Sequence, residues 1–566
     1  MARTRLFGQL RRIAARALAS RPPQMGDVPS AGGRWTRRQV TWGVAPLAAA
    51  SLLPGCGSDD APSQPAGERV AIVGAGLAGL HCAYRLQQSG LSVSVLEAAS
   101  RVGGRTFTAR EDAYGGQTFE LGGELIDSNH RTMLALAEEL GITVDDRFEE
   151  GIQTDVWFVD GAEVSEATIT SQFTAVAGLM AEAMAAADDP ENETAFAELD
   201  ETPLFDWLEQ SVPSAEYPEL NSVLNVAYRG EFGLETSEQS ALNLIYLIGS
   251  DEPEPFRIFG ESDERYHARE GSDAFATRLA DKLEDGALSL NTKLTRVSSG
   301  AEGGLTLEVV STKSGEKREL TFDYVVLALP FSVLRKVRIE APISETKQQI
   351  IDELGYGTNA KVMGQFEARV WREEHQKSGS ATTDLPLQQT WDSSIGQPGE
   401  RGILTNFLGG QAGVDVGEGE PEDYYTGLLS DIDRLFPGAA DSYRAGSARR
   451  MHWPSYEYTL GSYTCYRPGQ WENWGLEGER EGNLMFCGEH TSMEFQGWME
   501  GAAESGARVA GELLKELKLA RSAELDSLLG TESNAARGLS RGGVPATRFP
   551  RRQRAVLERS AARVRR

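Results

Sequence analysis

Short apolar runs that end in a glycine or an acid characterise the first part of the chain. Val70 to Val73 is apolar throughout, and Leu91 to Leu96 is apolar at most positions before Glu97 follows. Runs of this length and composition are typical of strands buried on both faces of a parallel sheet. The pattern therefore predicts two neighbouring strands, with the residues after each strand at the carboxyl edge of the sheet.

A glycine-rich turn that opens a helix lies between these two strands. Glycines there let the backbone turn sharply, approach a pyrophosphate and pack the helix on the sheet, while free N–H groups of the helix favour phosphate oxygens. An acid at the end of the second strand can bind a ribose hydroxyl pair. The order of elements predicts a dinucleotide-binding unit with contacts from Gly74, Gly76, Leu77, Ala78, Gly79, Glu97 and Ala98.

Helical and extended patterns alternate along the rest of the chain. Helical spacing of apolar residues predicts helices within 131–140, 175–187, 240–249, 274–283 and 497–517. Extended patterns predict strands within 117–124, 287–290, 294–297, 305–310, 324–330, 360–366, 402–407 and 483–487. The mixture predicts an α/β protein with a parallel nucleotide sheet and a second, α+β region.

Charge is distributed unevenly along the 566 residues, whose formal net charge is −28. Residues 1–56 carry +8 and residues 536–566 carry +9, which leaves −45 for the segment between them. A body this acidic repels nucleic acid, so no nucleic-acid partner is expected. With 25% charged and 40% hydrophobic residues, the composition is that of a globular protein large enough for two domains.

The N-terminus has the features of an export signal. Arg37 and Arg38 resemble a twin-arginine motif, and the apolar stretch 44–53 is too short to span a bilayer as a helix. Cys56 closes a sequence similar to a lipobox, which predicts lipidation of this cysteine and membrane contact only through that anchor. These features predict a periplasmic or cell-envelope lipoprotein exported folded, whose true start is either Met1 or Met25.

A second glycine turn follows Glu97 and narrows the choice of dinucleotide. The spacing E-x3-R-x-G-G-R provides amides and arginines that could hold a diphosphate from its other side. This motif resembles the second signature of the FAD-dependent amine oxidase family, which includes monoamine, polyamine and L-amino-acid oxidases. The resemblance implies FAD as cofactor, with contacts from Arg101, Gly103, Gly104 and Arg105.

The resemblance also implies a domain organisation. The family has a Rossmann-like FAD-binding domain assembled from three chain segments, with an α+β substrate domain inserted in two segments, a fold distantly related to that of glucose-methanol-choline flavin enzymes. In this sequence we expect an export signal at 1–56, a disordered tether at 57–67, the FAD-binding domain at 68–125, 262–332 and 452–518, the substrate domain at 126–261 and 333–451, and a basic disordered tail at 519–566.

Further site residues are inferred from the family's motifs. Tyr463 and Trp498 match the paired aromatic residues that flank the amine, and Lys361 matches a lysine that holds a water near the flavin and assists reoxidation. Ser462 stands where animal monoamine oxidases carry the cysteine bonded to FAD, so non-covalent FAD is expected. The other implied cofactor contacts are Gly122, Gly123, Glu124, Val297, Gly488, Glu489 and Met499, together with Trp498.

These features predict an oxidase that converts an amine to an imine and reduces O2 to H2O2, with no metal. An L-amino-acid oxidase is the first alternative; it needs a cationic group for the substrate carboxylate, for which Arg131 is a candidate. Glu124 or Asp127 could instead attract a basic side chain of an amine. A flavin-binding lipoprotein without oxidase activity is the alternative of another class. The pattern does not indicate an oligomeric state or identify the amine.

Overall fold

A computed structural model describes residues 69–148, 154–189, 192–248, 250, 261–300 and 303–538. Within these ranges, none of the helices combines the length and apolar character needed to cross a membrane. The predictions that concern the twin-arginine motif, Cys56 and the tether lie outside the described residues, as does the last part of the basic tail.

Helices make up much of the described chain. We number them in chain order. They are α1 Leu77–Gln88, α2 Arg131–Leu140, α3 Glu166–Asp188, α4 Glu193–Glu201, α5 Leu204–Ser211, α6 Pro218–Phe232, α7 Leu242–Ile245, α8 Asp273–Asp281, α9 Phe331–Leu334, α10 Glu345–Glu353, α11 Val370–Glu373, α12 Gly410–Asp415, α13 Pro421–Leu435, α14 Met499–Glu516 and α15 Ala523–Gly538.

The described strands form five sheets. They are β1 Val70–Val73, β2 Val93–Leu96, β3 Thr108–Arg110, β4 Thr118–Glu120, β5 Leu125–Ile126, β6 Val144–Asp146, β7 Thr154–Val159, β8 Ala162–Glu163, β9 Tyr266–Ala268, β10 Leu288–Ser289, β11 Thr292–Ser299, β12 Leu305–Ser311, β13 Lys317–Phe322, β14 Tyr324–Leu327, β15 Arg338–Ile339, β16 Ala360–Phe366, β17 Lys377–Thr383, β18 Gln389–Asp392, β19 Gly402–Leu408, β20 Arg449–His452 and β21 Leu484–Phe486.

A five-stranded parallel sheet forms the centre of the nucleotide-binding part. Its order is β10-β2-β1-β14-β21, so strands from three separate parts of the chain lie side by side. All four residues of β1 are buried, as the apolar run predicts for a central parallel strand. The carboxyl ends of β1, β2 and β14 therefore converge at one edge of this sheet.

Helices α1 and α14 cross closely on one face of the sheet. A Cβ atom at Gly506 of α14 would overlap the carbonyl oxygen of Ala78 in α1, so only glycine permits this approach. Glu500, in the first turn of α14, accepts hydrogen bonds from the backbone N–H groups of Thr132 and Met133, both 2.8 Å long. Its carboxylate thus caps the N-terminus of α2 and joins α14 to that helix.

A seven-stranded mixed sheet forms the second region, in the order β20-β16-β19-β18-β17-β7-β8. Neighbouring strands place Lys361, Phe407 and Gln389 directly opposite one another, and likewise Met363, Thr405 and Trp391. Residues paired in this way share one face of the sheet. This face, which we call the inner face, carries Lys361 and Trp391, whereas the opposite face packs against α13 through Tyr425.

Two domain boundaries differ from the predicted ones. Met133 and Leu136 of α2 are buried in the core of the parallel sheet, although residues from 126 onward were assigned to the substrate domain. Ile350 and Ile351 of α10 pack under the other face of that sheet, although residues from 333 onward were assigned to the substrate domain. Chain order did not reveal these contacts because each helix follows a strand of another sheet.

The predicted disorder from residue 519 is wrong for its first part, where α15 forms. The basic residues that suggested disorder begin only at Arg537, near the end of this helix. Leu525 is fully buried, and the Leu529 side chain lies where a Cβ on Gly511 of α14 would stand. Burial of these leucines against α14 explains why the segment folds.

Replacement of Leu525 by alanine is expected to lower the free energy of unfolding by about 2–4 kcal/mol, because it leaves a cavity under α15. Urea unfolding of the purified full chain measures this change. Ser527→Ala, on the exposed side of the same helix, is the matched control and should change stability by less than about 0.5 kcal/mol. A Leu525→Ala protein as stable as the control would show that α15 is not docked.

Candidate active site

A cavity of about 420 Å³ lies at the carboxyl edge of the parallel sheet. Val73, Leu96 and Ala328, which end or follow β1, β2 and β14, line it. The crevice at the carboxyl ends of such strands is where α/β proteins bind ligands. Most of the residues predicted to contact the cofactor also line this cavity: Gly74, Gly76, Leu77, Ala78, Glu97, Ala98, Arg101, Gly103, Gly104, Arg105, Gly488, Glu489, Trp498 and Met499.

The glycines of the first turn serve different purposes. Gly74 has φ of +107°, and a Cβ there would lie 2.7 Å from the Ala328 carbonyl oxygen. A Cβ on Gly79 would overlap the carbonyl oxygen of Gly74. Gly76 is different: its Cβ would meet only the Gly104 Cα atom, at 4.0 Å. Protein packing therefore does not require glycine at Gly76, and the open backbone there forms a cradle for a ligand.

The second glycine turn lies beside the first. Gly103 donates its N–H to the Ala75 carbonyl oxygen at 2.9 Å. The Arg101 guanidinium donates to the carbonyl oxygens of Val102 and Gly104, at 3.0 and 2.7 Å, so it holds the shape of this turn. Arg101 thus forms bonds inside its own loop, and its contact with a diphosphate stays a prediction.

Glu97 lies at the end of β2, as predicted for the ribose-binding acid. Its two oxygens accept hydrogen bonds from the N–H groups of Ala75 and Ala99, at 2.7 and 2.8 Å. Burial raises the pKa of this carboxyl group, although those N–H groups act in the opposite direction. The bonds aim the carboxylate at the cavity, and its remaining lone pairs can accept hydroxyl groups.

Two helix N-termini face the same cavity. Helix α1 begins after Gly76 with no side-chain cap and no acid in its first turn, and α14 begins after Trp498 with no side-chain cap. Their N–H groups are available to negatively charged oxygens at two ends of one elongated ligand. Bare glycine backbone, two helix N-termini and the acid Glu97 form a set of groups that fits FAD.

Glu489 connects the segments that carry the two predicted aromatic residues. Its carboxylate accepts from the Thr464 N–H group at 3.3 Å and from the Gly497 N–H group at 2.6 Å. Arg105 donates to the same carboxylate at 2.8 Å and to the Ser462 carbonyl oxygen at 2.8 Å. Although burial acts to raise the pKa of Glu489, Arg105 brings it below its usual value. The group is therefore an anion that fixes the backbone beside Tyr463 and Trp498.

The predicted aromatic pair is only partly exposed to the cavity. Trp498 lines it, whereas Tyr463 is fully buried and donates its hydroxyl hydrogen to the Gly230 carbonyl oxygen at the end of α6. Trp498 also packs edge-on against His130, with ring centroids 5.1 Å apart. His130 accepts the N–H of Asp127 at Nδ1, and its Nε2 lies 3.2 Å from Asp127 Oδ2.

Lys361 and the turn after β4 form a second group, which is adjacent to the cavity but does not line it. Lys361 Nζ donates to the carbonyl oxygens of Glu120 and Gly122 and to Glu124 Oε2, at 3.0, 2.9 and 2.9 Å. A Cβ on Gly122 would overlap the Arg105 carbonyl oxygen, and the Gly123 N–H donates to that oxygen at 3.0 Å. This group therefore lies behind Arg105, which forms part of the cavity wall.

Some predicted contacts lie elsewhere. Val297 is fully buried in the core between β11 and its neighbours, and the residues of β11 that line the cavity are Thr292 to Thr295. Glu124 and Asp127, considered as anions for a basic substrate, already contact Lys361 and His130 respectively. Arg131, considered as a carboxylate clamp, is exposed at the start of α2 and does not line the cavity.

Several segments that line the cavity carry no predicted site residue, among them Thr292 to Thr295 and the stretch from Val333 to Val337. Leu329 and Pro330 follow β14, and the switch-point rule for parallel sheets could have identified them. Tyr456 to Thr459 also lines the cavity, but its irregular conformation has no periodic pattern that would reveal it. In the part of the chain that the structure covers, no group of three or more histidine, cysteine or acidic side chains is arranged to hold a metal ion.

The family model for flavin containing amine oxidoreductase matches residues 77–514. This chain belongs to that family. The family match implies FAD as cofactor and makes the chain an oxidoreductase of the amine oxidase type. Structural neighbours confirm the predicted α/β fold. The putrescine oxidase of Kocuria rosea is 25% identical over 492 residues, covering 80% of this chain and 96% of that protein.

Other relatives differ in the activities for which they are named. The L-amino-acid oxidase of Mus musculus is 25% identical over 461 residues, covering 78% of this chain and 70% of that protein. The solved structure of cyclohexylamine oxidase from Brevibacterium oxydans matches with a TM-score of 0.69 and 23% identity, covering 80% of this chain and 99% of that chain. Family membership therefore establishes the chemistry class and leaves the substrate open.

Proposed function

We propose that the chain oxidises a primary or secondary amine to an imine while O2 is reduced to H2O2. The imine then reacts with water to give an aldehyde and ammonia or a smaller amine. The observation that supports this most strongly is Glu489, because one carboxylate fixes both aromatic-bearing segments beside the N-terminus of α14. FAD, when bound, supplies the two-electron acceptor.

The residues of the chain would orient the amine and exclude water. Trp498 offers an aromatic wall at the cavity, and Tyr463 supports the neighbouring backbone from a buried position. The N-terminus of α14 provides N–H groups that stabilise negative charge developing in the cavity, an effect worth about 0.3–2 kcal/mol. Dipoles that are already fixed in this orientation need no rearrangement when charge develops.

An amine is favoured over an amino acid by the position of Arg131. An amino-acid substrate requires a cation to bind its carboxylate. Arg131 is exposed and away from the cavity, and the two arginines that line the cavity, Arg101 and Arg105, are engaged with carbonyl oxygens or with Glu489. Of the two lysines that line it, Lys293 is paired with Glu457 and Lys336 is exposed to solvent. An L-amino-acid oxidase remains the competing proposal because relatives of both names match.

A matched substrate panel tests this proposal. Purified protein is supplied with amino acids and with the amines that their decarboxylation would give, and H2O2 is measured. We expect H2O2 from amines and little from the parent amino acids. H2O2 from amino acids alone would favour the second proposal. A protein that retains flavin but forms no H2O2 with any substrate would contradict both and favour a flavin-binding lipoprotein.

Non-covalent FAD is part of the proposal. Ser462 has no thiol to bond the flavin, and its Oγ atom donates to Asn359 Oδ1 at 2.6 Å. Acid precipitation should therefore leave the yellow colour in the supernatant with a mass equal to that of FAD. Flavin that stays with the precipitated protein would contradict non-covalent binding.

Export is proposed from the N-terminal motif and the lipobox-like Cys56. The protein should be recovered from the cell envelope, and Cys56→Ser should release it from the membrane fraction. Replacement of Arg37 and Arg38 by lysine should keep the protein inside the cell. If the protein reaches the cell envelope and neither Cys56→Ser nor the arginine replacements alter its distribution, this export route is contradicted.

A further inference from the structure

Glu477 is a fully buried acid at the far end of a series of hydrogen bonds that reaches the cavity wall. Its Oε1 atom accepts the Tyr466 hydroxyl hydrogen at 2.6 Å. The Tyr466 oxygen accepts in turn from Gln496 Nε2 at 2.8 Å. Gln496 Nε2 also donates to the His490 carbonyl oxygen at 3.2 Å, so both of its hydrogens have acceptors. The series therefore runs from a buried carboxyl group to the turn that precedes α14.

The Gln496 end of this series lies beside the backbone of Trp498. Gly497, the residue between them, donates its N–H to Glu489 at 2.6 Å. Trp498 follows directly, lines the cavity and precedes the first turn of α14. Because one residue separates Gln496 from Trp498, a displacement of Gln496 is passed to the indole ring and to the first N–H groups of α14.

Tyr466 is held in place by contacts that do not involve its hydroxyl group. Its backbone carbonyl oxygen accepts from the Ser240 N–H at 3.1 Å and from Asn243 Nδ2 at 2.9 Å. Its ring packs against Trp471, with centroids 4.8 Å apart. Burial raises the pKa of the hydroxyl, which therefore keeps its hydrogen. The variable part of the series is thus the carboxyl group that accepts this hydrogen.

A buried lysine influences the ionisation of Glu477. Lys347 Nζ donates to the carbonyl oxygens of Leu476 and Glu477, at 2.6 and 2.7 Å, and lies 4.4 Å from the centre of the Phe486 ring. Burial raises the pKa of Glu477 to about 7, although Tyr466 and Lys347 act in the opposite direction. Burial also lowers the pKa of Lys347 to about 7, although Glu477 acts to raise it. Both groups therefore change charge near neutral pH.

Other charged groups face this buried pair. Arg508 approaches from α14, and Glu479 and Glu481 follow in the same loop. His490 also lies near the lysine, but burial lowers its pKa to about 3, so the imidazole is neutral at pH 7. A guanidinium keeps its charge throughout this range. A titration near pH 7 is therefore assigned to the pair.

We propose that Glu477 is a positioning residue that fixes the turn carrying Trp498, through Tyr466 and Gln496, while its carboxyl group is ionised. A hydrogen bond to an ionised acceptor is about twice as strong as one to a neutral acceptor, so protonation of Glu477 loosens the series. The inference rests on the proposed function, in which Trp498 forms an aromatic wall. It makes binding of the amine weaker below the titration of Glu477 than above it.

The visible circular dichroism of the bound flavin tests the proposal without an amine. This signal depends on the groups beside the flavin, and Trp498 lines the cavity that fits it. In the unmodified holoprotein we expect a titration with a midpoint at a pH of about 7. Tyr466→Phe keeps the ring but lacks the hydroxyl, and Gln496→Leu lacks the amide, so neither variant should show it. A titration that persists in either variant would overturn the proposal, as would its absence from the unmodified protein.

Three further variants control this measurement. Tyr425→Phe removes another buried hydroxyl, which donates to the Leu404 carbonyl oxygen at 3.0 Å, and should leave the titration unchanged; its loss there would overturn the proposal. Trp498→Phe should remove most of the signal change, and a change of unaltered size would overturn the proposal. Lys347→Met should raise the midpoint, because the ammonium lowers the pKa of Glu477. A titration that disappears with the lysine would belong to Lys347 and would likewise overturn the proposal.

Steady-state kinetics with an amine supplies a second readout. The KM of Tyr466→Phe should exceed that of the unmodified protein by at least about threefold at about pH 8 and should equal it at about pH 6, with a smaller effect on kcat. Comparison of the two proteins at each pH cancels protonation of the amine itself. A ratio of KM values that is independent of pH would indicate a purely structural role and overturn the proposal. If no amine is oxidised, the flavin signal still decides this inference, so its failure and that of the proposed function are distinguishable.

Discussion

Replacement of Glu489 by glutamine is expected to abolish flavin retention and to lower the free energy of unfolding by about 3–5 kcal/mol. The buried carboxylate is the counter-charge of Arg105 and accepts the N–H groups of Thr464 and Gly497. A glutamine amide would direct a donor at one of those N–H groups and leave the arginine without an anion. Flavin absorbance after gel filtration and urea unfolding of the full chain measure the two effects.

The pH dependence of this variant provides an internal check. Because the pKa of Glu489 is below its usual value in the folded protein, the carboxylate stabilises the fold above the unfolded pKa of about 4.5. That contribution is lost as pH falls through the folded pKa. The stability difference between the unmodified protein and Glu489→Gln should therefore shrink below about pH 4.5.

The matched control is Glu457→Gln. Glu457 also lines the cavity but is largely exposed, and its contact with Lys293 is an exposed ion pair. We expect this variant to retain flavin and to change stability by less than about 1 kcal/mol. If both variants lost flavin equally, the general negative charge of the cavity, rather than the bonds of Glu489, would be responsible.

Alanine substitutions at two glycines of the first turn are expected to impair different properties, namely stability and FAD binding. Gly79→Ala should lower stability by about 3 kcal/mol or more, because its Cβ would overlap the Gly74 carbonyl oxygen and push α1 away from the sheet. Gly76→Ala should leave flavin-free stability within about 1 kcal/mol, because its Cβ faces the cavity. The effect of Gly76→Ala should appear instead in cofactor binding, as an affinity for FAD that is weaker by about tenfold or more.

Unfolding of flavin-free protein and titration with FAD separate these two outcomes. Gly178 is an exposed glycine of α3 whose Cβ would meet nothing within 4 Å and whose φ, like those of Gly76 and Gly79, is not positive, so its alanine variant reports the effect of an added methyl group without a clash. A Gly76→Ala protein that binds FAD normally would contradict the role of this turn as a cofactor cradle. A fully stable Gly79→Ala protein would contradict the close helix packing.

The central elements of the fold were predictable because local patterns and tertiary contacts agree there. The strand Val70–Val73 and the helix Arg131–Leu140 have the predicted bounds, as does the strand Ala360–Phe366. The helical pattern at 240–249 produces only the four-residue helix Leu242–Ile245. In this segment the apolar side chains are buried among other helices, and that burial does not require the backbone to be helical throughout.

The candidate site was predictable wherever a sequence motif specifies the conformation of the backbone. Gly74, Gly76 and Gly79 have the separate packing environments that the turn implies. Side-chain partners were not predictable, because they depend on contacts distant in sequence. The carboxylate of Glu124 meets Trp391 and Lys361, which are 267 and 237 residues further along the chain. Glu124, which the sequence offered as an anion for a basic substrate, is therefore already bonded to other side chains in the fold.

The strand order has a consequence for synthesis of the protein. Strand β1 pairs with β14, which is made about 250 residues later, and β14 pairs with β21 near the end of the described chain. While the ribosome is still translating the middle of the chain, the first strand lacks a neighbour on one side, and α14 does not yet exist. We therefore expect the nascent chain to need protection from aggregation and cofactor loading to follow nearly complete translation.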